Sequence, residues 1–231
     1  MEKSTEKLIQ LLVEARTNEL AMVQTLEAHL GMAKGGNYKT LVRQHLSETK
    51  RHADDLKRRL DDLGYDRTLL ARGYEFAQNA VKQGLVLTKG PIDLIRGRTD
   101  VTEKMLRNAM DEVMTEGLEI GAYDAIESLA RGLGDHVTAD LAATIRIDEE
   151  RMFQDLRKEI PALAQLVVES QIPSSERANV EPWPEYNAMT VEEIESRLRG
   201  AGESVALAVR NYEKLNKNRS SVISATERQL A

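Results

Sequence analysis

Ionisable side chains interrupt the apolar stripes of four long stretches whose periodicity is helical. In the first stretch the apolar residues recur every three or four positions, so they lie on one side of an α-helix, and Glu19 falls on that side. This inward face comprises Leu8, Leu12, Ala15, Glu19, Met22, Leu26 and Leu30. A lone buried carboxylate is costly unless it is paired, protonated or bound to a metal ion.

The other three stretches share this feature. Their inward faces comprise Leu41, His45, Glu48, His52, Leu56 and Leu60 in the second, Met105, Ala109, Glu112, Glu116, Glu119, Tyr123, Ile126 and Ala130 in the third, and Leu141, Ile145, Glu149, Met152 and Leu156 in the fourth. Four helices that each direct a carboxylate at one core, with imidazole nearby, indicate a metal site.

Composition narrows the chemistry and the location. The 231 residues include no cysteine, which excludes disulfides, thiol nucleophiles and thiolate-bound metals and fits a reducing cytoplasm. No alternating apolar run predicts a strand. The net charge of −6 argues against nucleic acid or an anionic membrane as partner. The longest apolar stretch is too short to cross a bilayer, and the first ten residues are unlike a signal peptide. We expect an all-α cytoplasmic protein.

Turn residues divide the chain into two helix hairpins. We expect long helices over Ser4–Ala33, Asn37–Leu63, Asp100–Arg131 and His136–Glu159, followed after Pro161 by a short helix near Ala162–Glu169. Asn37 can cap the second helix, and Asp100 with Glu103 resembles a capping box. Residues 65–99, with a weaker helix near Leu69–Gln83 and a Gly90-Pro91 break, form a long crossover. Two hairpins joined by one long crossover is the topology of ferritin-like bundles, which we place at residues 1–170.

Composition changes after this bundle. Residues 171–189 contain Pro173, Pro182, Trp183 and Pro184, which predicts an extended linker. Residues 190–231 form a C-terminal extension with short helices near Thr190–Arg199, Glu203–Leu215 and Arg219–Leu230, the first opened by a Thr190/Glu193 capping box. Its apolar positions are too few for a robust independent core. We therefore expect the extension to dock on the bundle, on a second subunit or on a partner protein.

The candidate metal ligands are inward residues at similar depth in the four helices: Glu19, Glu48, His52, Glu119 and Glu149. Glu48 and His52 are one turn apart and can share one centre. Taken singly, each acid is more often solvated or paired with an arginine such as Arg16, Arg51 or Arg146. Their coincidence in four helices favours a ligand set. We expect His29 and His136 at the surface, and Tyr123 in the core within reach of a ligand carboxylate.

Four motifs in this order resemble the YciF-like branch of the ferritin-like superfamily. They are Glu14-Ala-Arg-Thr-Asn-Glu19, His45-Leu-Ser-Glu-Thr-Lys-Arg-His52, Glu119-Ile-Gly-Ala-Tyr123 and Ile147-Asp-Glu-Glu-Arg-Met152. The resemblance covers about residues 8–166, and Lys89–Gly97 is similar to a loop of a longer variant. It implies a commonly dimeric four-helix bundle of bacterial stress-associated proteins, with ligands of a dinuclear centre at the five positions named above.

We therefore expect a protein with a carboxylate-rich dinuclear iron or manganese centre that oxidises Fe(II) with oxygen or peroxide. The alternative is a non-enzymatic helical scaffold whose site is empty or structural and which acts through dimerisation and partner binding by the extension. In either case we expect a homodimer or higher homo-oligomer. Gly117 and Gly121 permit close helix approach, and the apolar residues of the crossover are suited to burial against another subunit.

Overall fold

The structure is a computed structural model that describes residues 3–65, 100–173, 176–177 and 179–230. Within these residues every regular element is helical, which confirms the all-α class. The helices are α1 (Lys3–Met32), α2 (Gly36–Asp62), α3 (Val101–Gly132), α4 (His136–Gln171), a short 3-10 helix (Tyr186–Ala188), α5 (Val191–Leu198), α6 (Glu203–Leu215) and α7 (Ser220–Leu230). The predicted helix at 69–83 and the break at 90–91 lie outside the described residues. None of the described helices is both long and apolar enough to cross a membrane.

Two predictions about helix ends are wrong. Helix α4 does not end at Glu159 but continues through Pro161 to Gln171. A proline inside a helix removes one backbone hydrogen bond, and the buried side chains of Ala162 and Leu163 hold the next turn against the core. Asn37 does not cap α2 either. The N-cap is Gly35, and the Asn37 backbone N–H donates to Glu203 Oε1 at 3.3 Å.

Two predicted N-caps are present. The Asp100 side chain accepts a hydrogen bond from the Thr102 backbone N–H at the start of α3, in place of the full box with Glu103. Thr190 and Glu193 form the complete capping box that opens α5. Caps of this kind satisfy backbone N–H groups that have no partner inside the helix, so these helix starts are encoded locally.

Side-chain contacts fix the directions of the four long helices. Helices α1 and α3 are antiparallel, because His29 contacts Glu112 while Glu19 contacts Tyr123. Helices α2 and α3 are parallel, because Tyr38 bonds Glu112 and His45 pairs with Glu116. At the far end of α2, Arg59 pairs with Asp135 at the start of α4. Helix α2 therefore ends at one end of the bundle, and α3 begins at the other.

The interior consists of two apolar clusters. One contains Leu8, Leu12, Leu56, Leu60, Tyr123, Ile126 and Ile145, and the other contains Met22, Leu26, Tyr38, Val42, Met152, Leu156 and Leu163, among others. On each of the four long helices at least one ionisable inward residue falls between positions that belong to the two clusters. Glu19, for example, lies between Ala15 of the first cluster and Met22 of the second. A polar layer thus crosses the middle of the bundle.

The last three helices pack around an apolar cluster of their own. It includes Tyr186, Ile194, Leu198, Ala206, Val209, Tyr212 and Val222. This group also contacts the bundle, since Arg210 and Lys214 of α6 both pair with Glu169 of α4. The C-terminal extension therefore contacts the bundle, which is one of the three docking surfaces predicted for it.

The ion pair at the α2/α4 end provides a test of this packing. Both Asp135 oxygens lie 2.8 Å from an Arg59 nitrogen, and Oδ1 accepts from the Thr138 backbone N–H at 3.0 Å. A lost helix cap costs about 1 kcal/mol and a lost charged hydrogen bond roughly 1.5–3 kcal/mol. We expect Asp135→Ala to lower the free energy of unfolding by roughly 2–4 kcal/mol in urea denaturation.

The control for this experiment is Asp140→Ala in the next turn of α4, where the side chain is 76% exposed. Surface changes of this type usually stay within about 0.5 kcal/mol. An effect that small for Asp135→Ala would show that the contact does not hold the two helices together.

Candidate metal centre

A layer of buried ionisable residues crosses the bundle between the two apolar clusters. Its members, here called the central layer, are Glu19 of α1, His45 and His52 of α2, Glu116, Glu119 and Tyr123 of α3, and Glu149 of α4. None of them is more than 5% exposed. Helical periodicity produces this layer, because each residue occupies an inward position of its own helix.

Two groups of potential ligands meet at Glu149. Glu19, His52 and Glu149 form one group, and His45, Glu116 and Glu149 form the other. Within each group, one nitrogen or oxygen atom per residue lies within 4.8 Å of the others. In the first group, His52 Nδ1 is 2.9 Å from Glu149 Oε1 and 3.7 Å from Glu19 Oε1. In the second, His45 Nε2 is 2.8 Å from Glu116 Oε1. This arrangement can hold a metal ion.

Several oxygens of the layer have no hydrogen-bond partner among the described residues. They include Glu19 Oε2 and Glu119 Oε1. Glu116, in contrast, shares a side-chain hydrogen bond with Glu149. A buried polar atom left without a partner costs about 1–3 kcal/mol, more when it is charged. A bound cation or a proton would remove that cost. Imidazole nitrogen and carboxylate oxygen are donors suited to Fe, Mn and Zn.

Three of the four acids of the layer resist ionisation in the metal-free protein. Burial, followed by the negative charge of Glu149, raises the pKa of Glu19 to about 7. The same two causes raise the pKa of Glu116 well above its usual value. Burial and then the charge of Glu19 do so for Glu119. The metal-free layer therefore holds protons, which an incoming cation has to displace.

His52 and Glu149 behave as an ion pair inside this layer. Burial alone would raise the pKa of Glu149, but its hydrogen bonds with His52 and Glu116 outweigh burial and lower that pKa overall. Burial lowers the pKa of His52, but the contact with Glu149 raises it by more, so that this pKa is raised overall. His45 differs, because burial dominates and lowers its pKa, which favours the neutral imidazole that binds metals.

Second-sphere contacts orient the first ligand group. Tyr123 donates a hydrogen bond from its hydroxyl to Glu19 Oε1. His52 Nε2 lies 3.4 Å from Asp148 Oδ2 and 3.2 Å from an Arg51 nitrogen, so the ring nitrogen that faces away from Glu149 meets the Arg51–Asp148 ion pair. Metal-binding histidines usually have such a partner on the other ring nitrogen, where it fixes the tautomer and the ring orientation. The contact proposed for Tyr123 from sequence is thus present.

The structure brings together three of the five residues predicted as ligands, namely Glu19, His52 and Glu149. Glu119 is buried in the same layer but belongs to neither ligand group. Glu48 lies outside the layer: its side chain is 17% exposed, and Oε1 accepts hydrogen bonds from Arg151 at 2.8 Å and Gln44 at 3.2 Å. Glu48 is thus paired with an arginine, but with Arg151 and not with Arg16, Arg51 or Arg146, the arginines named in the prediction.

Sequence reasoning left His45 and Glu116 out of the ligand set. Both were identified as inward, and a signal was available, since His45 precedes His52 by two helical turns and therefore shares its face. The prediction that His29 lies at the surface is wrong. Only 4% of His29 is exposed, and its Nδ1 contacts Glu112. His136 is exposed, as predicted.

Comparison with protein-family models gives no match, and comparison with curated proteins gives none either. Among solved structures, the chain is similar to the crystal structure of protein XCC3681 from Xanthomonas campestris pv. campestris, with a TM-score of 0.56 and 20% sequence identity. The match covers 73% of this chain and 97% of that one. At this identity the likeness concerns the fold alone.

The raised pKa of Glu19 predicts a pH-dependent difference between the metal-free parent and a Glu19→Gln variant. When folding raises the pKa of an acid, the folded protein loses stability as the pH rises from the unfolded pKa to the folded pKa. For Glu19 this range extends from 4.5 to about 7. A glutamine side chain does not ionise, so the variant does not lose stability in this way. We expect Glu19→Gln to be more stable than the parent above pH 7, with the difference shrinking to near zero at about pH 4.5. Thermal unfolding in the presence of a chelator measures this, and a difference independent of pH would contradict it.

Proposed function

We propose that this chain is a ferritin-like protein that binds a dinuclear iron or manganese centre. The observation that carries the proposal is the position of Glu149, which belongs to both ligand groups. A carboxylate shared between two sets of donors is what a bridged pair of metal ions requires, since such ions lie about 3.5–4 Å apart. Glu19 and His52 would hold one ion, His45 and Glu116 the other, and Glu149 both.

The two other predicted ligands, Glu119 and Glu48, differ in their position relative to the proposed site. Glu119 is close enough to Glu19, Glu116 and Glu149 for their charges to raise its pKa, and it carries an oxygen without a hydrogen-bond partner among the described residues. It therefore suits a further carboxylate contribution. Glu48 would have to leave Arg151 to reach a metal ion. We therefore keep Glu48 only as a prediction and centre the proposed site on Glu149.

The helix directions support a ferritin-like arrangement. Helices α1 and α2 form one hairpin and α3 and α4 another, and α2 and α3 run parallel to each other. Ferritin-like folds combine two such hairpins with one long crossover. Membership of the YciF-like branch, a cytoplasmic location and homodimerisation remain part of the proposal.

We place the activity in Fe(II) oxidation by oxygen or peroxide. Iron bound at such a centre would supply one-electron chemistry, and two Fe(II) ions would provide the two electrons that reduce one peroxide, with two protons, to two water molecules. The chain's own residues would bind the metal ions, orient the ligands and exclude water. The apolar clusters on either side keep the layer dry, Tyr123 holds Glu19, and Asp148 faces the outer nitrogen of His52. Glu19, Glu116 and Glu119 hold protons that cation binding releases.

A non-enzymatic scaffold is the second candidate, and one observation favours it. Two histidine–glutamate contacts within the layer, His52–Glu149 and His45–Glu116, already give these four side chains partners without a metal ion. In that case the layer would specify how the four helices associate, and metal would have no effect on stability.

Metal-dependent stability separates the two candidates. We expect Mn(II), or Fe(II) without oxygen, at about 100 times its Kd to raise the melting temperature of chelator-treated protein by roughly 5–10 °C, which corresponds to about 2.7 kcal/mol in a protein of this size. Glu149→Gln should remove most of that increase, because it removes the shared ligand while conserving volume.

The matched control is Glu150→Gln, the same change at the next residue of α4. The Glu150 side chain is 48% exposed and pairs with Arg146 at the surface. We expect this variant to keep the full metal response. Equal melting temperatures of the parent with and without either metal would refute the dinuclear centre and favour the scaffold.

A further inference from the structure

A second buried polar cluster lies outside the central layer. Glu112 of α3 contacts His29 of α1 through Oε1, and the same oxygen accepts a hydrogen bond from the Tyr38 hydroxyl of α2 at 2.8 Å. Glu112 is 1% exposed, Tyr38 2% and His29 4%. The three residues come from three different helices, so their meeting is a product of the tertiary fold.

Apolar residues border this cluster. Tyr38 belongs to the second apolar cluster, and Ala109 of that cluster lies one turn before Glu112 on α3. Glu112 Oε2 has no hydrogen-bond partner in the described part of the chain. A carboxylate in such a place is costly, and its free oxygen faces no donor. Neither ligand group of the proposed centre includes Glu112 or His29.

The position of the cluster connects it to the centre. Glu112 and Glu116 are one turn apart on the same face of α3, about 6 Å along the helix axis. On the other side, His29 lies in the last turn of α1, which ends at Met32, and Gly31 and Met32 are exposed. The cluster therefore lies between an end of the bundle and the second ligand group.

The available donors suit weak cation binding. An imidazole nitrogen and a carboxylate oxygen are ligands for divalent first-row metals. Tyr38 adds a positioning contact. Burial and the neighbouring Glu112 raise the pKa of its hydroxyl, which therefore stays protonated and donates to Oε1. That leaves Oε2 available. A tight structural metal site has four or more protein ligands, whereas this cluster offers two. An ion bound here would therefore dissociate readily.

We propose that His29 and Glu112 form an outer cation site through which divalent metal ions reach the dinuclear centre. This inference rests on the proposed function, since it needs a centre to be filled. An ion held between His29 and Glu112 would have Glu116 and His45 as its next donors. Tyr38 is a positioning residue that orients the Glu112 carboxylate.

The test measures how fast Co(II) fills the protein and how much is bound at the end. Co(II) is a suitable probe because its visible absorption reports nitrogen and oxygen coordination without turnover. Stopped-flow mixing gives the rate and equilibrium titration gives the endpoint, for the parent, Glu112→Gln, His29→Gln and the double variant. Glu103→Gln is the control, since Glu103 lies in the first turn of α3 and pairs with Arg107 at the surface.

We expect Glu112→Gln and His29→Gln each to slow filling of the centre roughly tenfold or more, the lower end of what loss of a metal-supporting residue usually costs. The absorption endpoint of the centre should stay unchanged. The double variant should be no slower than the slower single variant, because both residues act as one site. Glu103→Gln should fill at the parent rate. Circular dichroism confirms folding, and if Glu112→Gln loses helicity, His29→Gln alone decides.

Other outcomes overturn the inference in distinguishable ways. Unchanged filling rates in the two single variants would show that ions do not pass this cluster. Loss of the centre's endpoint in a folded Glu112→Gln variant would make Glu112 a ligand of the centre itself. If the parent binds no Co(II) at equilibrium, the proposed function fails, and the outer site fails with it.

Discussion

The bundle buries four carboxylates and two imidazoles in one layer between two apolar clusters, and the cost of that burial constrains the rest of the structure. Ionised groups leave water at a cost of several kcal/mol each unless partners compensate. The protein compensates in part, through the His52–Glu149 and His45–Glu116 contacts and the Tyr123 hydrogen bond to Glu19. The compensation is incomplete, since several carboxylate oxygens keep no hydrogen-bond partner.

The incomplete compensation explains the electrostatics of the site. Protonation is the response available to a metal-free carboxylate in this environment, and the raised pKa values of Glu19, Glu116 and Glu119 express it. A cation would replace those protons and neutralise the layer more completely. The two apolar clusters matter for this exchange, because they exclude the water that would otherwise weaken the electrostatic interactions. The fold and the proposed centre are therefore parts of one arrangement.

Much of this arrangement follows from the sequence. Helical periodicity places Glu19, His52, Glu119 and Glu149 inward, and the structure buries all four. Periodicity cannot tell how far a side chain is rotated from the core axis, and the partner across the bundle decides that. Glu48 lies toward the edge of its helix face, where Arg151 of α4 reaches it. His45 lies deeper and meets Glu116.

The remaining differences have tertiary causes as well. His29 stands near a helix end, where exposure is the usual expectation, but Glu112 and Tyr38 from two other helices bury it. Helix α4 passes Pro161 because Leu163 contributes to the second apolar cluster, and no local rule reports that contact. Local signals such as the Thr190/Glu193 capping box appear as expected, since they involve residues close in sequence.

A crystal structure of the Mn(II)-loaded protein, with anomalous scattering measured at the manganese edge, tests the central claim most directly. The account predicts two anomalous peaks per chain, about 3.5–4 Å apart, one near Glu19 and His52 and the other near His45 and Glu116. Glu149 should lie between the peaks. A single peak elsewhere, or no peak within the central layer at saturating Mn(II), would contradict it.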